Sequence, residues 1–472
     1  MSDQPRASHD SGPPDNLVRF MMTGWATPPG SPASPIEGAE RFAARRDALS
    51  RAFPSQTLIV PTGHEKVRAN DTFYRFRPGT DFYYLTANLE PDNVLVLAPA
   101  GDGHAATLYC RPNPGKTDAT FFTDRLKGEL WVGPRLGLTQ TAQRYGIATK
   151  PLAELQDDLP AGLGRGPYRV LRGVDAELDA ALPPQPERDA ELGTVLSEMR
   201  LIKDELEVCE LRRAIEATQR AFDDVVRALP AAETERTVEG VFTLRARVDG
   251  NDTGYSTIAA SGPNACTLHW TRNDRTIGEN ELLLLDAGVE TETLYTADIT
   301  RTLPVSGTFT PEQRAIYELV LAAQDAAFAQ CAPGNDFLDP NRAAMQVLAR
   351  GLERLGIIGS AGEALRDENQ FYKRYSLHNV SHMLGLDVHD CAAARAETYK
   401  LGRLRPGMVL TVEPGLYFQL DDLTVPARYR GIGVRIEDDV LITESGVDVL
   451  SAAIPRGVED VEAWVRSARI PA

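Results

Sequence analysis

The stretch Leu282–Thr302, LLLLDAGVETETLYTADITRT, decides how this chain is read. Successive side chains of an extended backbone point to opposite faces, so Leu282, Leu284 and Asp286 share one face of a strand. Asp298 follows twelve positions later, on what reads as the returning strand of a hairpin. One Asp at a strand end is as often a solvated terminator as a ligand. Two carboxylates on adjacent apolar strands are harder to place, because burial favours the neutral form of each.

Three further stretches repeat the pattern of an ionisable group inside or at the end of an apolar segment. NVSHMLGLDVHD carries His382, MVLTVEPGLY carries Glu413 and GVRIEDDVLI carries Glu437. Four carboxylates converging on one core require cationic neutralisation, and a pair of divalent ions bridged by carboxylates is the economical solution. Such a pair, about 3.5–4 Å apart, activates water. Four oxygen donors and one imidazole suit Mn²⁺ or Co²⁺, with Zn²⁺ also compatible, whereas structural zinc favours Cys and His.

His378, His382 and His389 are three of only seven histidines in the chain and fall within twelve positions. A lone histidine is more often an ordinary hydrogen-bonded one; this concentration points to function. The HxxxH spacing lacks the Glu of HExxH, and Gly385 disfavours a continued helix. A turn-and-strand reading follows, with one histidine a ligand and the others near substrate. Pro414 and Gly415 terminate the strand that ends at Glu413. Arg435 and Glu437 share a strand face; in isolation they read as a surface ion pair, but beside the other ligands Arg435 reads as a cation orienting a ligand carboxylate.

With 472 residues the chain exceeds one ordinary core, so two domains are expected. A formal charge of −17 argues against nucleic acid or an anionic membrane as partner. Five scattered cysteines without CxxC spacing fit free thiols in a reducing compartment. With no apolar h-region in Met1–Pro14 and no membrane-length apolar run, a cytoplasmic location is expected. Residues 1–38, rich in Pro, Ser, Gly and Asp, read as a flexible arm, with the apolar patch FMMTGW (20–25) as a docking element. Residues 39–190 alternate helices with strands (TLIV at 57–60, NVLVLAP at 93–99, ATLYC at 106–110) and read as an α/β domain ending near a linker, LPPQPE, at 182–187. Residues 191–472 mix helices with strand runs and read as α+β. A long helix is expected after Asp204 as N-cap, and others at 237–248, 340–355 and after the Thr310-Pro311-Glu312-Gln313 capping box.

The second half resembles the pita-bread metallopeptidases, within them the branch of Xaa-Pro aminopeptidase (aminopeptidase P) and prolidase. SGPNACTLHW (261–270), LLLLDAG, DITRTLPVSGTFT (298–310), SHMLGLDVHD (381–390), RPGMVLTVEPGLY (405–417) and YRGIGVRIEDDVLIT (429–443) carry the likeness. FRPGTDFYYLTANLEPDNVLVLAP (76–99) resembles the creatinase-like N-terminal domain of the same branch. The resemblance implies an α/β creatinase-like domain followed by an α+β pita-bread catalytic domain. It implies a homodimer or homotetramer acting on peptides with proline second, by attack of a metal-bridged hydroxide on the Xaa–Pro bond. Asp286 would chelate one ion, Asp298 and Glu437 would bridge both, and His382 and Glu413 would complete the other site, with Glu413 also taking the proton of the attacking water. His269, His378 and His389 would line the substrate pocket, and Arg435 and Tyr417 would support Asp286 through hydrogen bonds. Tyr83 stands where close relatives often have Trp and would contact substrate. The Asp286–Asp298 spacing is one longer than usual, so the hairpin is expected to carry a bulge or a longer turn. Two other readings compete. A prolidase would cleave only Xaa-Pro dipeptides and must recognise their free carboxylate. A non-catalytic pita-bread module would have lost ligands, and none is lost here.

Overall fold

The computed structural model describes residues 12–26, 33–163 and 166–469, and the chain divides into two compact units, Met1–Leu196 and Ser197–Ala472. The first is built on a five-stranded mixed sheet. In spatial order its strands are Ala148–Pro151, Gly103–Cys110, Val94–Ala100, Thr57–Pro61 and Tyr168–Val170. The outer pairs are parallel and the inner ones antiparallel. Ile59, Val94, Val96 and Val170 form its core with Tyr109 and Leu155. Of the segment read as a flexible arm, residues 1–11 and 27–32 lie outside the described residues, and Asp15–Met21 is a short helix. Of the apolar patch that overlaps its end, Phe20 is exposed, while the Trp25 ring stacks 6.2 Å from Phe122 with the Lys116 ammonium 4.1 Å from its centroid.

The prolines of the expected linker break the chain between the helices Ala176–Ala181 and Pro186–Met199, yet the contact boundary lies later, after Leu196. Asp189 explains the delay. Its carboxylate accepts from the Val170 and Gln185 N–H groups and pairs with Arg172 at 2.9 Å, tying the second helix to the first unit.

The second unit opens with the helix Glu205–Ala228, where Asp204 and Glu207 complete a capping box, and continues with Glu235–Asp249. Thr310 and Gln313 cap Pro311–Phe328 reciprocally, as the sequence motif requires. Against these helices lie two antiparallel three-stranded sheets and a two-stranded ribbon. One sheet is Ile299–Pro304, Leu282–Ala287 and Ile258–Ser261. The other is Val409–Val412, Asp438–Ile442 and Val447–Val449, and the ribbon pairs Gly415–Tyr417 with Gly433–Arg435. The Glu437 N–H donates to Thr300 O at 3.1 Å, so strands from both sheets meet beside the candidate ligands.

The long hairpin settles its extra residue in the turn. Register runs unbroken from Leu282↔Pro304 to Ala287↔Ile299, without a bulge. The surplus is taken up beyond it, where Leu294 adopts a left-handed φ of 66° and Thr291 and Tyr295 close the turn by a backbone hydrogen bond. Gly288 is obligatory here because a Cβ would collide with the Ala297 carbonyl. No helix among the described residues is long and apolar enough to cross a membrane.

Candidate metal centre

Register decides which carboxylates meet. Asp286 pairs across with Thr300, so Asp298 is its diagonal neighbour on the same sheet face. Asp298, His382 and Glu437 offer ligand atoms that all lie within 4.8 Å of one another. His382 Nε2 stands 3.3 Å from Asp298 Oδ2 and 3.5 Å from Glu413 Oε1. Asp286 stands outside that group of three but joins it through Tyr255, whose hydroxyl lies 2.6 Å from Asp286 and 2.5 Å from Asp298. All five line one cavity of about 650 Å³.

Elements position these groups through their ends. Glu413 follows the strand Val409–Val412, and its N–H donates to Val380 O at 2.8 Å. Glu437 sits between two strands and accepts from the Thr300 hydroxyl at 2.6 Å. His382 lies in an irregular loop, as Gly385 foretold, held where Met383 bridges to Leu410. Its Nδ1 faces Met383 O at 3.1 Å and therefore carries hydrogen, which leaves Nε2 facing the carboxylates.

Arg435 is not the surface partner that its strand position alone would suggest; it is 3% exposed. Its guanidinium donates to Asp286 at 2.5 Å and to the Tyr417 hydroxyl at 2.9 Å. Tyr417 in turn meets His378 Nε2 at 2.8 Å, while His378 Nδ1 faces Asn379 O at 3.0 Å. The tautomer follows: Nδ1 donates to the carbonyl and Nε2 accepts from Tyr417.

Among protein groups alone the site carries too much negative charge. Burial, then the neighbouring carboxylates, push Glu437 far above its ordinary value. Burial, opposed by Arg435 and reinforced by Asp298, raises Asp286. Burial likewise lifts Glu413 to about 7, against the pull of His382. Burial works against charge on His382, yet its bond to Asp298 and the Glu413 charge raise it to about 9. Burial and the Arg435 charge hold His378 down at about 4, so it is neutral. Arg435 and the protonated His382 are two cations against four carboxylates, and the oxygen-rich donor set with a single imidazole fits hard divalent ions.

The remaining predicted residues divide cleanly. His269, His378, His389 and Arg435 line the cavity, and the His389 ring sits edge-on to His382 at 4.3 Å. Tyr417 acts behind the wall through His378 and Arg435. Tyr83 belongs to the first unit, buried with its ring 6.4 Å from Phe42, and is not among the residues lining this cavity. The other two described histidines serve structure: His104 bonds Ser50 and Gln56 O, and His64 lies between Asp92 and Asp175. Sequence reasoning missed Tyr255, because a Tyr between Gly254 and Ser256 carries no local sign of the two strands it will face.

Residues 209–444 match the model of metallopeptidase family M24, and residues 42–170 match that of the aminopeptidase P N-terminal domain. The chain belongs to family M24. Its second unit is the pita-bread catalytic domain of these metallopeptidases, and its first is their N-terminal domain. Xaa-Pro aminopeptidase 1 of Streptomyces coelicolor is 51% identical over 96% of this chain and 92% of its own length. Escherichia coli aminopeptidase P with the inhibitor Pro-Leu superposes with a TM-score of 0.83 at 33% identity, over 92% of this chain and all of that one. The Zn-substituted Escherichia coli enzyme in complex with product gives 0.82 at 33% identity, over 93% of this chain and all of that one.

Tyr255→Phe tests the electrostatic account of this M24 site. The chelated variant is expected to lose about 1–3 kcal/mol, the cost of two buried acceptors deprived of their donor. Divalent ions should restore most of it, because they neutralise the same carboxylates. Thermal unfolding with and without Mn²⁺ reads both effects; equal melting of variant and parent under chelator would contradict the account.

Proposed function

We propose that the chain is an Xaa-Pro aminopeptidase, releasing the first residue from peptides with proline second, with two divalent ions held by Asp286, Asp298, His382, Glu413 and Glu437. The observation that supports it most is the gathering of these five on one cavity floor with Arg435 as their buried counter-charge. The relatives' names and the Pro-Leu inhibitor of the Escherichia coli structure supply the substrate class. Hard oxygen donors favour Mn²⁺, and four buried free thiols support a reducing, cytoplasmic setting.

When bound, the ions supply Lewis acidity and a water acidified to near neutral pH. The chain does the rest. A carboxylate oxygen of Glu413 receives the proton of the attacking water and returns it to the proline nitrogen, which needs one to leave. That nitrogen carries no N–H in the peptide, so recognition falls on shape. Ile258 and Leu268 give the cavity an apolar wall for the ring, continuous with Ala260, Ala265 and Leu284 behind it. The imidazoles of His269, His378 and His389 line the cavity, and those of His269 and His389 would offer N–H groups to the reacting carbonyl. His378 is held in the cavity wall by Tyr417, which donates to its Nε2, and by its own Nδ1–H bond to Asn379 O, with the ring 3.5 Å from Glu413.

The deciding experiment compares Gly-Pro with Gly-Pro-Yaa in the presence of Mn²⁺. Glycine release from the tripeptide is expected, and chelator should abolish it. Cleavage of the dipeptide alone would transfer the assignment to prolidase.

A further inference from the structure

Gln324 is a polar residue in the middle of the buried stripe of helix Pro311–Phe328. Ile316, Tyr317, Val320 and Ala327 fill that stripe, and Gln324 occupies a core position among them with no exposure. A buried amide must find partners, and those it finds are specific. Its Nε2 lies 3.1 Å from Val412 O, 3.2 Å from Ile436 O and 2.9 Å from Asp438 Oδ2. Its Oε1 accepts from Arg456 at 3.3 Å, which fixes which end of the amide faces inward.

Val412 and Ile436 immediately precede Glu413 and Glu437. Each contacted carbonyl therefore lies in the peptide plane that ends at the Cα of a candidate ligand, so holding its oxygen constrains where that side chain begins. The two planes come from different segments, and Val412 and Asp438 are cross-strand partners. One side chain thus binds both glutamate-bearing segments from behind. Two N–H groups serve three acceptors, so one bond is shared. Asp438 does not drift to accommodate this, because Arg301 and Ser451 hold its other oxygen at 2.7 and 2.6 Å.

We propose that Gln324 is a positioning residue for the metal centre, setting the separation of the peptide planes that present Glu413 and Glu437 and thereby the site's affinity for divalent ions. This rests on the ligand set proposed above. Groups that orient ligands from behind typically change metal affinity or activity by about 10–100-fold when removed. A residue that merely satisfied the core would change melting temperature and leave affinity alone.

The test is calorimetric titration of the chelator-stripped full chain with Mn²⁺, beside thermal unfolding of the same metal-free samples. Gln324→Met keeps the length and deletes both N–H groups; its affinity is expected to fall by about 10–100-fold, with kcat reduced more than KM is raised. Gln324→His keeps one N–H and should fall between; it is the variant read if the Met form does not fold. Parental Mn²⁺ affinity in the folded variant, whatever its melting temperature, would overturn the proposal. The unmodified chain keeps the two ideas apart: failure to take up Mn²⁺ there overturns the metal-centre reading and this one with it, whereas normal uptake in both chains overturns this one only.

Discussion

Asp298→Asn is expected to lower kcat on a Gly-Pro-Yaa peptide by about three decades or more, while the chelated variant melts no lower than the parent. The first half follows from position. Asp298 touches both halves of the site, reaching His382 at 3.3 Å on one oxygen and sharing the Tyr255 hydroxyl with Asp286 on the other. Losing metal-centred stabilisation worth several kcal/mol costs about one decade per 1.4 kcal/mol. The second half follows from charge. Four carboxylates, three of them buried and Glu413 partly so, share the cavity with Arg435, and the Asp298 charge is among the causes that push Asp286 and Glu437 upward. An amide of the same shape removes that repulsion, so the substitution that destroys function should relieve the metal-free fold. Glu437→Gln should behave alike, although it weakens the bond from the Thr300 hydroxyl. Activity assays with Mn²⁺ and melting curves under chelator measure both. Full activity in either variant would remove the metal bridge from the mechanism; a sharp drop in the chelated melting temperature would show that Asp298 is held by its neighbours rather than strained against them.

What was legible in the sequence was what local chemistry writes locally. Thr310 and Asp204 announce helix starts because a cap and its partner lie three residues apart, and the hydrogen bonds appear as expected. Gly385 excluded a helix around His382 for a similar reason, and the chain there is a loop. Asp286, Asp298, Glu413 and Glu437 stood out because each interrupts an apolar run. Long-range partners leave no such mark. Tyr255 serves Asp286 and Asp298 only because three strands bring it there. Gln324 sits in an amphipathic helix where a glutamine reads as solvated, and only tertiary packing reveals that its face is the buried one. Even Arg435, recognised as a possible orienting cation, could equally have been a surface ion partner until the ribbon placed it 3% exposed against Asp286.

Arg301 in the DITRT motif shows how such a hidden partner becomes essential, and Arg301→Met is expected to have the largest effect on stability. The side chain is fully buried, and its guanidinium spends its five N–H donors inward. Nε donates to Pro455 O at 2.7 Å; one terminal nitrogen donates to Thr300 O and Glu437 O at 2.9 and 2.6 Å; the other donates to Ile454 O at 2.9 Å and Asp438 at 2.7 Å. Removing one member of a fully buried ion pair costs about 3–5 kcal/mol, because the partner charge stays buried without it. Four carbonyls would also lose their donor. Lysine cannot replace this arrangement, since three N–H groups on a point charge do not span five acceptors. The cost has two separable parts. Asp438→Asn placed in the Arg301→Met background removes the orphaned charge, so recovery of about half the lost stability would assign that share to the ion pair, and no recovery would assign the loss to the carbonyls. Because one of those carbonyls belongs to Glu437, any folded Arg301 variant should also bind Mn²⁺ more weakly. Denaturant melts of the single and double variants settle the division, and a single variant within about 1 kcal/mol of the parent would refute the claim that this buried pair holds the site's rear wall together.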